Sequence, residues 1–165
     1  MPRDSRTGGE AQVVAETVWK PRATVAALCE REGKYLLVRE EVDGKLVYNQ
    51  PAGHLDPNET LLQAVIRETL EETRYRFRPT ALQGIYRYQP NAENPDTYLR
   101  FLFRGEAGEK IDGPLDDEIL AAEWLSYDQV LACRAEHRSP MVMQGIEDYL
   151  ARPGYPLDII SAEFA

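Results

Sequence analysis

The 165-residue sequence predicts a single α/β domain, a mixed β-sheet with helices on its faces. Three observations carry this. β-prone apolar runs occupy both halves of the chain, an amphipathic helical run separates them, and a second helical run closes the sequence. The 43% apolar content fits a packed core, and no internal repeat or second domain boundary interrupts the order. Residues 1–18 mix Pro, Arg, Gly-Gly and Glu without a period, so they read as a flexible N-terminal tail ahead of a domain spanning 19–165.

Taken in order, Arg22–Glu30 and Tyr35–Val42 read as strands joined by a hairpin turn at Arg31-Glu32-Gly33-Lys34. Asp43-Gly44 marks a second turn. Leu46-Val47-Tyr48 then leads through Asn49-Gln50-Pro51-Ala52 into Gly53, which predicts a strand-loop-helix junction. A polar loop at Asp56-Pro57-Asn58 precedes a helix predicted over Thr60–Thr73, which carries good helix formers and no Gly or Pro. Its apolar stripe is expected at Leu62, Ile66 and Leu70, flanked by Leu61, Ala64 and Val65. Arg76–Gln89 and Thr97–Glu106 are the next strands, the second with Leu99, Phe101 and Phe103 in alternation. Glu118–Ser126 is open between strand and helix. A short helix is predicted at Tyr127–Leu131, capped by Ser126, and a longer one at Ser139–Leu150, with Ser139 as cap and Pro140 in the first turn.

The chemistry is concentrated between Gly53 and Tyr75. Glu68, Glu71 and Glu72 stand at i, i+3 and i+4, so at about 100° per residue their carboxylates share one side of the helix. Arg67 is the single base inside the predicted helix. Clustered carboxylate oxygens suit a hard divalent cation such as Mg²⁺ or Mn²⁺. A solvated acidic face is the alternative reading of the same residues.

Composition narrows the partners. A formal charge of −9 argues against a nucleic-acid polymer, whose phosphates call for clustered Lys and Arg. No window of 18 apolar residues and no signal-peptide pattern appear, so a cytoplasmic location without membrane attachment is expected. Two cysteines and two histidines with no CxxC spacing suggest neither zinc nor a disulfide framework.

Gly53, Glu59, Arg67, Glu68, Glu71 and Glu72 fall in the register G-x5-E-x7-R-E-U-x-E-E-x-G-U, where U is apolar, and the chain therefore resembles the Nudix hydrolase superfamily. Thr69 stands where an aliphatic residue is usual, and Arg74 replaces a glycine. Tyr75, Arg76 and Phe77 carry no turn signal, so the helix is expected to continue through Arg74 or to leave it without a left-handed residue.

The resemblance implies an α/β/α sandwich and Mg²⁺-dependent hydrolysis of a pyrophosphate linkage, with Mn²⁺ a possible substitute. It places Gly53, Glu68, Glu71 and Glu72 on the metal, makes Glu68 a candidate base oriented by Arg67, and gives Glu59 a bracing role. Glu118 is the carboxylate chosen from the cluster Asp116-Asp117-Glu118 to approach the metal from a loop, against the alternative of an acidic surface turn. Arg39 is a candidate phosphate contact, and Tyr48 and Gln50 are candidate base contacts. The segments GKYLLVREEVDGKLVYNQPAGHL, YLRFLFRGE and RSPMV resemble one phosphatase branch of the superfamily. That branch implies nucleoside tri- and diphosphates, hydroxymethylpyrimidine pyrophosphate or thiamine pyrophosphate as small-molecule substrates. Hydrolysis of sugar-nucleotides or dinucleotide polyphosphates, and a non-catalytic nucleotide-binding module, are the alternatives. A monomer or a homodimer is expected.

Overall fold

The computed structural model describes residues 18–93 and 95–161; the tail expected over residues 1–18 lies outside them except for Val18, which is exposed. Among the described residues, seven strands run β1 Arg22–Arg31, β2 Lys34–Val42, β3 Lys45–Asn49, β4 Ala52–His54, β5 Tyr75–Tyr88, β6 Tyr98–Lys110 and β7 Ile119–Ser126. The α-helices are α1 Leu61–Thr73, α2 Tyr127–Ala132 and α3 Met141–Ala151. None of them is long and apolar enough to cross a membrane.

The strand order is β3-β2-β1-β6-β5, with β4 on β1 and β7 on β2. β1 and β6 are parallel from Arg22↔Tyr98 to Cys29↔Gly105, and the other pairs are antiparallel, so the sheet is mixed as expected. β1 and β2 pair only beside their turn, at Glu30↔Tyr35 and Arg31↔Lys34, and then separate. β4 occupies the edge that β1 thereby leaves free, setting Gly53 opposite Val25. That divergence opens the sheet at the place where the box loop begins.

Six consecutive residues of β1 are buried because both faces are covered. Val25, Ala27 and Cys29 pack with Ala64 and Val65 of α1 and with Phe77 and Phe103. Ala26 and Leu28 pack on the other face with Val130 of α2 and Val142, Met143 and Ile146 of α3. The result is the α/β/α sandwich.

Local details follow residue chemistry. Glu32-Gly33 and Asp43-Gly44 have positive φ at both positions, the geometry that suits two-residue hairpins. Thr60 caps α1 and Ser126 caps α2, each through a reciprocal capping box with a glutamine three residues on. Ser139 Oγ accepts from the Met141 N–H at 3.3 Å ahead of α3. The open segment 118–126 resolves into β7, which pairs along β2 from Lys34↔Ser126 to Glu40↔Ile119.

Two expectations about α1 are corrected. Its buried face is Ala64, Val65, Thr69, Glu72 and Thr73, whereas Ile66 is 40% exposed. Small residues let the helix lie close to the sheet, and the buried Thr69 hydroxyl satisfies itself on the Val65 carbonyl at 2.7 Å. Arg74 does not extend the helix. It is left-handed, with φ 63° and ψ 8°, while its N–H still closes the last turn on Leu70 O at 2.9 Å. β5 then begins at once with Tyr75.

Candidate active site

A cleft of about 620 Å³ opens where β1 and β2 diverge. One wall comes from the box: Gly53, Glu68 and Glu72, joined by Asp116 and Glu118 from the loop before β7. Glu40, Asn49, Arg100, Arg138 and Ser139 line the same cleft with Tyr88 and Tyr98, and Glu40 and Arg100 lie within electrostatic reach of Glu72.

Arg67 organises the acidic wall. Its Nε donates to Glu59 Oε1 at 2.7 Å and one terminal nitrogen to Glu59 Oε2 at 2.9 Å, so the pair is bidentate. The other terminal nitrogen reaches Glu68 Oε1 at 2.7 Å and Glu71 Oε2 at 3.2 Å. A further bond runs to the His54 carbonyl at 3.2 Å. Glu59 also accepts from the Asp56 N–H, and its bonds with Arg67 hold its carboxyl below the usual range. Glu59 therefore braces loop against helix.

Burial is the main force on Glu68 and Glu72. It raises Glu68 despite the neighbouring guanidinium. It pushes Glu72 up to about 9, opposed by the Ala52 N–H donating to Oε2 at 2.9 Å and reinforced by Glu68, Glu40 and Asp116. A Cβ at Gly53 would stand 2.1 Å from the Glu68 carboxyl carbon, so a larger residue here would displace that carboxylate.

This donor set fits a hard divalent cation, because it gathers carboxylate oxygens whose charging is opposed by burial and mutual repulsion. The bare Gly53 backbone lets the Glu68 carboxylate pack directly against it. As they stand, Glu68 and Glu71 turn to Arg67, and among the described residues no three acidic, His or Cys side chains form a ready cage.

The structure brings Gly53, Glu68, Glu72 and Glu118 together on the cleft. Glu71 sits at the rim, its carboxylate on Arg67 and its carbonyl accepting from the Asp116 N–H at 3.0 Å. Asp116 is thereby pinned to α1 and bears electrostatically on Glu72.

The three proposed substrate contacts are relocated. Strand alternation sends Glu40 into the cleft and turns Arg39 away from it, toward Glu123 at 3.9 Å. Tyr48 is the cross-strand partner of Arg39 and packs against the α2–α3 core. Gln50 is fully buried, donating to Val142 O at 2.8 Å and accepting from Arg100 at 3.3 Å.

Arg100, Glu40 and Arg138 were not singled out by sequence reasoning. Arg138 pairs with Glu40 at 3.2 Å. Arg100 is 6% exposed, and burial lowers its guanidinium to about 10. Its one sequence signal is a charge inside the apolar run YLRFLF, at a position sharing the face of the buried Leu102.

A braced acidic helix beneath a sheet opening, with its first carboxylate packed on a glycine, marks a hydrolase of the Nudix class. A NUDIX domain model matches residues 19–144, and the chain belongs to that family, whose enzymes hydrolyse phosphoric anhydrides. It is 39% identical over 145 residues to the phosphatase NudJ of Escherichia coli strain K12, covering 87% of this chain and 92% of that protein. A NUDIX hydrolase structure from Nitrosomonas europaea superposes with a TM-score of 0.83 at 49% identity, over 88% of this chain and 98% of the other. The NUDIX domain of Shewanella oneidensis NrtR, solved with ADP ribose, shares the fold at 18% identity and a TM-score of 0.65, over 81% of this chain and 88% of that one.

Proposed function

We propose that this chain is a Mg²⁺-dependent phosphatase and pyrophosphohydrolase acting on small organic di- and triphosphates. Nucleoside tri- and diphosphates and hydroxymethylpyrimidine or thiamine pyrophosphate are the substrates to test first. The observation that carries this reading is one cleft that gathers the carboxylates Glu68, Glu72, Asp116 and Glu118 with the guanidinium groups of Arg100 and Arg138, matching a metal-bound pyrophosphate and a second polar group. The resemblance to a phosphatase over 87% of the chain supports the same class.

Glu68 and Glu72 with the Gly53 carbonyl would hold the cation, and Glu71 would join once released from Arg67. When bound, the cation neutralises phosphoryl oxygens and lowers the pKa of a bound water. Arg67 fixes Glu68 through the 2.7 Å contact, so that the carboxylate enters the reaction already oriented. Glu68 accepts the proton of the attacking water, a role suited to a carboxylate that burial makes more basic. Glu118 and Asp116 face the same space from the loop before β7 and stand as second bases or ligands.

A release assay for phosphate and pyrophosphate with Mg²⁺, run on these substrates with product identification, tests the reading. Turnover that requires Mg²⁺ and consumes the anhydride is expected. Nucleotide binding without any release from the panel would identify a binding module instead.

A further inference from the structure

A substrate with two or more phosphates must bring its charge into a cleft lined by two arginines and seven acidic residues. A cation on the carboxylates offsets part of that charge, so the guanidinium groups decide where the rest can sit. Arg100 is 6% exposed and has both terminal nitrogens on buried amides, Gln50 at 3.3 Å and Asn49 at 3.2 Å. It belongs to the interior of the sheet. Arg138 differs on both counts, because its side chain is 41% exposed and its guanidinium has one partner among the described residues, Nη1 donating to Glu40 Oε1 at 3.2 Å. A guanidinium carries five N–H groups in a fixed fork, so most of its donors remain for an incoming anion.

Both ends of this arm are fixed. The Arg138 N–H donates to Tyr48 O at 2.8 Å, beside the bridge that His137 makes to the same tyrosine, and Ser139 after it is buried. Glu40 comes from β2 with its side chain 12% exposed, so the carboxylate is held in the wall of the cleft and the accessible member of the pair is the guanidinium. Glu40 also bears electrostatically on Glu72, which puts Arg138 one side chain away from the carboxylates proposed for the cation. That position suits the phosphate adjoining a metal-bound one, and the fork of an arginine matches its oxygens.

We propose that Arg138 is a substrate-binding residue that seats the second phosphate of a di- or triphosphate, the one adjoining the phosphate on the cation, and that Glu40 is the positioning residue that holds its guanidinium there. The contact makes the cleft prefer anhydrides to phosphate monoesters. This deepens the hydrolase reading and takes its metal site from it, but the contact itself is a binding contact that needs no turnover.

Calorimetry in Mg²⁺ with methylenediphosphonate, whose P–C–P link resists hydrolysis, against methylphosphonate as the control with one phosphoryl group, tests it. Wild type is expected to bind the diphosphonate more tightly. Arg138→Gln should shrink that preference about tenfold or more, the worth of a charge-assisted bond, and leave methylphosphonate affinity little changed. Glu40→Leu should shrink it too, whereas Glu40→Gln, which keeps an acceptor for the guanidinium, should retain it. Arg138 is exposed and its backbone bond to Tyr48 survives substitution, so Arg138→Gln should fold. Melting curves check this, and the Glu40 pair carries the test if it does not. Under turnover, Arg138→Gln should raise KM for nucleoside diphosphates with kcat little changed. A folded Arg138→Gln that keeps the preference would overturn the proposal, as would a wild type without one. Equal losses for both probes would also overturn it, since they mark a general effect of charge, and a Glu40→Leu variant that keeps the preference would overturn the part given to Glu40. Absence of turnover alongside the expected binding pattern would sink the hydrolase reading and leave this contact standing; turnover with an unchanged Arg138→Gln would do the reverse.

Discussion

Replacing Arg74 separates a backbone effect from a side-chain effect at the exit of the catalytic helix. The residue is left-handed, a conformation that costs an L-amino acid about 1–2 kcal/mol relative to glycine. Its guanidinium recovers part of this by donating to Asp112 O at 3.1 Å and by lying over Gly113. A partly exposed bond of that kind contributes about 0.5 kcal/mol. Arg74→Gly should therefore gain about 0.5–1.5 kcal/mol over wild type, a rise of about 1–6 °C for a domain of this size. The sharper comparison is Arg74→Gly against Arg74→Ala, because both lack the guanidinium and differ only in Cβ. In the left-handed exit glycine should be the more stable by about 1 kcal/mol, or about 2–4 °C by differential scanning calorimetry. In a continuing helix alanine would be the more stable by a similar amount. An alanine variant melting at or above the glycine variant would refute the left-handed exit. Since Arg74 lines a separate hollow with Lys110 and Asp112, kcat should stay within a few fold in both variants.

Three further outcomes are expected. Glu72→Gln should lower kcat by about a hundredfold or more by removing a carboxylate that would carry charge only against the cation, and its metal-free melting temperature should barely move, since burial raises that carboxyl to about 9 and disfavours its charged form; near-normal activity at saturating Mg²⁺ would show that the acidic wall is not the metal site. Mn²⁺ should replace Mg²⁺ in the release assay and Ca²⁺ should not, because Ca²⁺ takes longer bonds and more ligands; full turnover in Ca²⁺ alone would count against this. Burial lowers the half-buried His137, helped by Arg134, so its neutral form adds stability that is present above its ordinary value near 6.5 and is lost as pH falls through the folded value. The wild-type melting temperature should accordingly drop more between pH 7 and pH 5 than that of His137→Gln, and parallel curves would remove His137 from the account.

What the sequence made legible divides along a physical line. The spacing of Glu68, Glu71 and Glu72 and the Arg67–Glu59 brace lie within one helix and its entry loop, where periodicity fixes geometry, and the hairpin glycines and both capping boxes are local in the same sense. Strand faces are not local. Whether Arg39 or Glu40 enters the cleft depends on one residue of parity, and that parity is set by how β2 pairs with β3 and β7 around a register shift placed between those two residues. The helix exit failed for a related reason. Arg74 carries no turn signal of its own, and its left-handed backbone is imposed by β5 starting at Tyr75 and by the Ile111 N–H closing on the Arg74 carbonyl at 2.9 Å.

Arg100 lay furthest from reach, since it meets Asn49 and Gln50 across about fifty residues of chain. Gln50 leads directly into the box, yet it spends its donor on α3 and its acceptor on that cation and is absent from the cleft's lining. The sheet thus supplies two kinds of polar residue to one cleft: carboxylates from a helix laid against it, whose spacing is written in the box, and a cation from its centre, aimed by neighbours from another strand's end. Only the first kind can be found by reading along the chain.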